Sequence, residues 1–307
     1  MSQTNAIAAD WPVPVLQLAC DPSTTLPSGG ALSLNDCEQV VDAFEDLGAF
    51  VDRTDQRREL CGEALEVPPP AKKKLFVVHG DSGTGKTFLL RWCARHLALR
   101  DVNVRYVNFD ENRSISFVEA LSAIREGDKS TSLLTGRLND AAFDTFDKRI
   151  ASIAGNQPPT EDFIGDLSKL FREALLADAA PRPMLLCLDH LVNAALVRGE
   201  HRFLRDQLLQ PLIDGALPNV KVLLSITAPE LIDDLKWFRN RAVTVKLEPW
   251  AEADFERLAR AALDDLFQDD DETAKDLLKV YKKKKVLSSR WTPSLLASFR
   301  DFVRALS

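Results

Sequence analysis

The chain is 307 residues long and is short of the features that mark several protein classes. Its five cysteines, Cys20, Cys37, Cys61, Cys93 and Cys187, are odd in number and scattered. None forms a C-x-x-C pair or a zinc spacing, which excludes a disulfide scaffold and a zinc finger and suits a reducing cytoplasm. Cys93 and Cys187 fall in apolar segments and read as small core residues. The four histidines, His79, His96, His190 and His201, show no metal spacing. No apolar run approaches the length of a membrane span. The N-terminus lacks a basic stretch followed by an apolar one, so no signal peptide is expected and the cytoplasm is the expected location. Net positive charge is also missing: 46 acidic residues against 39 basic ones leave −7. That balance argues against broad nucleic-acid binding. One basic run stands out, Lys282-Lys283-Lys284-Lys285, close to the acidic Asp269-Asp270-Asp271-Glu272. Such runs are usually solvated helix faces.

What is present is an ordinary globular composition, 45% hydrophobic and 28% charged, at a length that suits one large domain or two modest ones. Residues 1–30 are rich in Pro, Ser, Thr and Gly and read as a leader. Helical patterns follow from Ser33 to about Leu47 and from Arg57 to Leu65, the second ended by Pro68-Pro69-Pro70. Five apolar runs then read as strands: Leu75–Val78, Val102–Phe109, Met184–Leu188, Val220–Ile226 and Ala242–Leu247. Helical segments separate them: Phe88–Leu99, Phe117–Arg125, Asp140–Ile153, Asp162–Asp178 and Phe203–Ile213. This alternation predicts an α/β fold with a parallel sheet covered on both faces. The stretch 110–182 is long enough for an inserted helical element. From Trp250 the strand pattern stops. Asp254–Leu266, Asp271–Val280 and Pro293–Leu306 read as helices of a small C-terminal domain, with Glu248-Pro249-Trp250 as the hinge. The predicted division is a leader and N-terminal helix at 1–48, a core at 49–250 and a helical lid at 251–307.

The most informative segment is Gly80-Asp81-Ser82-Gly83-Thr84-Gly85-Lys86-Thr87. It fits the phosphate-binding pattern G-x-x-x-x-G-K-[ST] and lies between a predicted strand and a predicted helix, the context that pattern requires. In that setting the backbone N–H groups and the helix N-terminus trap an anion. Lys86 would reach the β- and γ-phosphates of a nucleoside triphosphate, and the Thr87 hydroxyl would ligate Mg²⁺. No guanine-reading Asn-Lys-x-Asp motif is present, so ATP or ADP is the expected nucleotide.

Mg²⁺ also needs a carboxylate at the end of a neighbouring strand. Met184-Leu185-Leu186-Cys187-Leu188-Asp189 supplies an apolar run and then Asp189, a Walker B pattern. The next residue, His190, stands where hydrolysing P-loop ATPases of this kind usually carry a glutamate that polarises the attacking water. Two readings stay open: a surface histidine at a strand end, or an altered hydrolytic site. An imidazole works as a base near neutral pH but lacks the carboxylate's charge. The strand Val220–Ile226 leads into Thr227, a candidate for contact with the γ-phosphate or its water, with Ser225 an equal competitor.

Residues 49–300 together resemble the STAND class (signal-transduction ATPases with numerous domains) within the AAA+-like P-loop proteins. Phe50-Val51-Asp52-Arg53, followed by Gln56 and Leu60, is similar to the family's entry motif, whose segment covers the adenine. The Walker A and Walker B segments match, the strand Val220–Ile226 falls at the sensor position, and Thr292-Pro293-Ser294-Leu295-Leu296 is similar to the lid motif whose proline lies near the nucleotide. Departures are Asp52 for glycine in the entry motif, His190 for the acidic residue, Thr227-Ala228-Pro229 where the sensor strand usually ends in arginine, and Arg290-Trp291-Thr292-Pro293 without the lid glycine. The resemblance implies a P-loop fold with nucleotide-binding residues Phe50, Val51, Arg53, Pro293 and Gly80–Thr87, metal ligands Thr87 and Asp189, and catalytic candidates His190 and Thr227.

It further implies a switch, held by ADP and released by ATP, with slow or residual hydrolysis, possible assembly into a homo-oligomer on ATP binding and a separately encoded effector or sensor partner, as in bacterial conflict or antiviral systems. Two other readings stay open. One is an AAA+ ATPase that regulates a nucleic-acid process such as transposition or replication loading, motivated by Lys282–Lys285. The other is a non-hydrolysing ATP-binding scaffold, motivated by His190.

Overall fold

The computed structural model describes residues 73–98, 102–109, 114–127, 138–153, 159–181, 183–191, 199–226, 241–249 and 251–253, with single positions at 56, 60, 276, 278 and 279. Its centre is a five-stranded sheet: β1 (Leu75–Gly80), β2 (Asn103–Asn108), β3 (Met184–Asp189), β4 (Val220–Ile226) and β5 (Ala242–Leu247). The spatial order is β2-β3-β4-β1-β5, and every neighbouring pair is parallel. All five strands coincide with the apolar runs of the sequence. The central strands are nearly continuous apolar stretches because both faces of the sheet are covered there; β3 and β4 are buried along their whole length, whereas the edge strand β5 exposes Thr244 and Lys246.

Alternation along each strand sorts the core into two layers. Leu75, Val77, Leu186, Leu188, Val222 and Leu224 face one layer. There they meet α2 (Phe117–Glu126), α3 (Asp140–Ala151) and α4 (Glu161–Asp178), the three helices that fill the long connection between β2 and β3. Phe76, Val78, Tyr106, Leu185, Cys187 and Leu223 face the other layer, against α1 (Lys86–Ala98), where Leu89, Leu90, Cys93 and Leu97 are buried with them. Phe143, Phe146 and Phe171 join α3 to α4, with ring centroids 5.2–5.9 Å apart. Each such aromatic pair adds about 0.5–1.5 kcal/mol to the burial of its area.

Local sequence explains the helix ends. Ser116 and Glu119 make a capping box at α2: the Ser116 Oγ accepts from the Glu119 N–H, and the Glu119 carboxylate accepts from the Ser116 N–H at 2.8 Å. Asn139 and Thr160 cap α3 and α4 by a single bond each, the Asn139 Oδ1 accepting from the Ala141 N–H and the Thr160 Oγ1 from the Phe163 N–H. At its other end α2 is stopped by Gly127, at φ 75°. The buried Arg105 of β2 lies against that glycine and donates to the carbonyls of Ile124, at 2.8 Å, and of Arg125. A Cβ at position 127 would overlap the guanidinium. Burial, followed by the nearby Arg125, lowers the Arg105 pKa to about 10.

The predicted helix Phe203–Ile213 is found, but it is not one regular helix. It consists of α5 (His201–Phe203), a π-type turn (Leu204–Leu209) and α6 (Gln210–Ile213). The Gln210 N–H reaches back five residues to the Arg205 carbonyl. Pro211 is the cause: it has no N–H to give and its ring crowds the carbonyl four residues earlier, that of Gln207. Arg172 of α4 donates to that carbonyl instead. The helices expected at 33–47, 57–65, 254–266, 271–280 and 293–306, and the run Lys282–Lys285, lie outside the continuously described segments.

Candidate nucleotide site

In a parallel sheet the C-terminal ends of all strands share one edge, and ligands bind beside that edge. Here β1, β3 and β4 end together, with β4 between the other two. The loop Asp81–Gly85 leaves β1 and runs into the first turn of α1. It is folded on itself: the Thr84 Oγ1 donates to the Asp81 carbonyl at 2.8 Å, and the Lys86 Nζ donates to the carbonyls of Gly80 and Asp81 at 2.9 and 2.8 Å. Lys86 is only 4% exposed, so its ammonium is presented at the loop rather than to bulk solvent. Gly80 has a φ of 154°, and a Cβ there would run into the Leu247 carbonyl at the end of β5 and lie 3.1 Å from the Thr84 Oγ1. Only glycine fits such an approach.

Asp189 ends β3 and is completely buried. Its Oδ1 accepts from the Ser225 hydroxyl on β4 and its Oδ2 accepts from the Tyr106 hydroxyl on β2 at 3.0 Å. Arg91, on α1, donates through Nε to the same Tyr106 oxygen at 3.2 Å. Desolvation, followed by the Asp189 charge, pushes the Tyr106 phenol far above its usual range, which keeps it a donor. His190 follows at φ 61°, the one non-glycine residue with positive φ among those described. That turn of the backbone brings its N–H to the Ser225 Oγ at 2.9 Å and its Nε2 to the Thr87 Oγ1 at 3.1 Å. The same Nε2 is 3.7 Å from the Asp189 Oδ1.

The structure thus brings Gly80–Thr87, Asp189 and His190 into one place, as their order in the sequence led one to expect. It also puts Ser225 there, on the carboxylate, while Thr227 lies outside the described residues, as do Phe50, Val51, Arg53 and Pro293. From the entry segment, Leu60 is described; it is buried in the same layer as α1. Two members of the site escaped the sequence reading, Tyr106 and Arg91. The β2–β3 register supplies what the sequence does not: Tyr106 pairs with Cys187, two residues before Asp189, so alternation puts Tyr106 and Asp189 on the α1 face. The Thr87 hydroxyl and the Asp189 carboxylate are hard oxygen donors, of the type that suits Mg²⁺ and not a softer metal. No cluster of three or more His, Cys, Asp or Glu side chains that would form a metal cage occurs among the described residues. No described helix is long and apolar enough to cross a membrane.

Comparison with known proteins bears on this geometry. Several solved structures share features of the chain. A chain from the Drosophila ORC bound to DNA is 16% identical over 87% of this chain and 63% of that one, with a TM-score of 0.48. The Walker-type ATPase PABY2304 of Pyrococcus abyssi is 17% identical over 83% of this chain and 68% of that one, TM-score 0.44. A chain of the E. coli MS115-1 HORMA:CdnC:Trip13 complex is 12% identical over 95% of this chain and 81% of that one, TM-score 0.42. The chain spans less than two thirds of the Drosophila chain's length. No curated protein matches the sequence. Residues 49–210, more than half of the chain, match the AAA ATPase domain, and they contain the loop Gly80–Thr87, Asp189 and His190. With the parallel sheet order and the strand–loop–helix around Lys86, this makes the chain a P-loop NTPase of the AAA ATPase domain family.

Proposed function

We propose that the chain is a nucleotide-controlled switch of STAND type, which binds ATP or ADP with Mg²⁺ and hydrolyses ATP slowly. The observation that carries this reading is the contact of His190 with Thr87. The imidazole occupies the place after the Walker B aspartate and is engaged with the P-loop threonine, so the usual carboxylate that polarises water is replaced by a group without its charge. Lys86, Thr87 and the loop N–H groups would hold the phosphates, and Thr87 with Asp189 would hold the cation. A cation there would neutralise charge on the phosphate oxygens. The long-lived bound nucleotide then reports a state. ADP and ATP must favour different conformations for that to act as a switch. On this reading ADP would hold the segment 251–307 as a lid on the core 49–250 and ATP would release it, with the segment of Phe50, Val51 and Arg53 covering the adenine and Pro293 near the nucleotide. ATP promotes assembly of like chains or engagement of a separately encoded partner.

The test is to identify the nucleotide retained on purification and to measure molecular mass in ADP and in ATP. The expected result is stoichiometric ADP or ATP in the native protein, its absence from Lys86→Ala, and a different mass or partner affinity in the two nucleotides. Equal mass and equal partner affinity in both would end the switch reading. Multiple-turnover phosphate release that Lys86→Ala abolishes would exclude a non-hydrolysing scaffold.

A second reading, an AAA+ ATPase acting on nucleic acid, draws on Lys282–Lys285. It requires salt-sensitive DNA binding that is lost when those four lysines are replaced.

A further inference from the structure

Asp189 is held by both oxygens, and the holders come from different strands: Ser225 from β4 on Oδ1 and Tyr106 from β2 on Oδ2. We propose that Tyr106, itself oriented by Arg91, is a positioning residue that decides which oxygen of Asp189 is offered to the cation beside Thr87. This rests on the Mg²⁺-nucleotide reading of the site.

Tyr106 is fully buried. A core tyrosine needs a partner for its hydroxyl, and this one has two. Arg91 Nε donates to the phenol oxygen at 3.2 Å. The single phenol proton is therefore left for Asp189, and the bonds run in one direction, Arg91 to Tyr106 to Asp189. Because Tyr106 holds Oδ2, Oδ1 is the oxygen on the P-loop side, 3.7 Å from the His190 Nε2 that touches Thr87. Phenylalanine at position 106 would release Oδ2 while Ser225 still holds Oδ1, so the carboxylate would be pinned at one oxygen instead of two and its terminal torsion, soft in aspartate, would be less restrained.

The circuit closes through α1. Thr87 and Arg91 are four residues apart on that helix and so lie on one face. Thr87 reaches His190 and, through the His190 N–H, Ser225 and Asp189 Oδ1. Arg91 reaches Tyr106 and Asp189 Oδ2. One helix thus addresses both oxygens of one carboxylate. Partners behind a metal ligand typically change metal affinity by about 10–100-fold when removed.

The experiment uses the full chain, with Mn²⁺ as the metal probe followed by electron paramagnetic resonance and a fluorescent ADP analogue as the nucleotide probe. Tyr106→Phe is expected to weaken Mn²⁺ binding to the ADP-loaded protein about tenfold or more, with affinity for the analogue in EDTA unchanged. Arg91→Met is expected to weaken Mn²⁺ binding in the same direction by a smaller factor. In an Asp189→Asn background Tyr106→Phe is expected to change nothing further, which a merely structural defect would not reproduce. Wild-type Mn²⁺ affinity in Tyr106→Phe, or an undiminished further loss in the Asp189→Asn background, would overturn the proposal. If Tyr106→Phe does not fold, wild-type Mn²⁺ affinity in Arg91→Met overturns it. A wild-type protein that does not bind the ADP analogue, or binds it as well after Lys86→Ala, would instead overturn the nucleotide reading on which the proposal stands.

Discussion

The Nε2 of His190 lies 3.1 Å from the hydroxyl of Thr87, although 103 residues separate them. Two motifs that the sequence presents as independent are therefore one unit. The residue after the Walker B aspartate is tied to the residue that closes the Walker A loop, and the tie depends on a backbone turn at φ 61°.

Restoring the usual carboxylate should raise turnover. His190→Glu is expected to increase steady-state phosphate release at least about tenfold, the lower end of what a positioned general base contributes being about a hundredfold. Coupled phosphate detection on the wild type, His190→Glu and the His190→Glu/Lys86→Ala double variant checks it. No increase, or an increase that survives loss of Lys86, contradicts the assigned role.

The left-handed conformation at position 190 has a cost that substitution exposes. His190→Ala and His190→Gly both remove the imidazole, but only glycine adopts φ 61° without strain. The glycine variant is expected to be more stable than the alanine variant by about 1 kcal/mol, since the left-handed region costs an L-residue roughly 1–2 kcal/mol. Urea denaturation of the two proteins without nucleotide measures the difference. Alanine equal to or better than glycine would mean that the turn relaxes.

Lys221 contributes to the pH dependence, in the same direction as Lys74, whose pKa burial also lowers. Lys221 sits in β4, 7% exposed, with its ammonium 5.9 Å from the centre of the Phe76 ring. Burial lowers its pKa from 10.5 to about 8. Below pH 8 the lysine is charged in both the folded and the unfolded chain, and the folded state bears the desolvation in full. Between about pH 8 and 10.5 the unfolded chain binds more protons than the folded one, so stability attributable to this group rises with pH. Lys221→Met should remove that rise and stabilise the protein at pH 7 by on the order of 1–3 kcal/mol. Thermal melts of both proteins at pH 7 and pH 9.5 read the difference; a variant with the wild-type pH slope would show that another group is responsible.

Arg172 should matter more than its place on the outer part of α4 suggests. It donates to the Gln207 carbonyl that Pro211 has deprived of a helical partner. Arg172→Met leaves that carbonyl unpaired and is expected to cost about 1–3 kcal/mol. In a Pro211→Ala background the helix can supply its own N–H, and the same substitution is expected to cost less than half as much. Equal costs in both backgrounds, by urea denaturation, would detach Arg172 from the proline.

Much of the architecture was readable because its signals are local. Each strand is an apolar run that must be buried on two faces, and each of α2, α3 and α4 starts at a side chain that caps it. The π-type turn was not foreseen: the apolar spacing from Phe203 to Ile213 is that of a helix, and the disturbance lies in Pro211, whose effect falls four residues upstream. At the site, the phosphate loop and Asp189 are legible because their spacing along the chain is the chemistry. Tyr106 and Arg91 were not, since a tyrosine in a strand and an arginine in a helix carry no pattern of their own. Their meaning comes from register, with Tyr106 opposite Cys187, and from a helix laid over that face. Ser225 and Thr227 were equal candidates on sequence, and burial with two hydrogen bonds places Ser225 on the carboxylate.

The contact between Gly80 and Leu247 ties the phosphate loop to the edge strand of the sheet. The first glycine of the phosphate loop lies so close to the last carbonyl of β5 that not even a methyl group fits between them. Leu247 is followed directly by Glu248 and Pro249, where the chain leaves the sheet. The two residues are also opposite each other at the end of the β1–β5 ladder, so the start of the phosphate loop and the end of β5 are held together by the sheet as well as by this close approach. Any side chain at position 80 would have to displace one of those two segments, the loop or the end of β5.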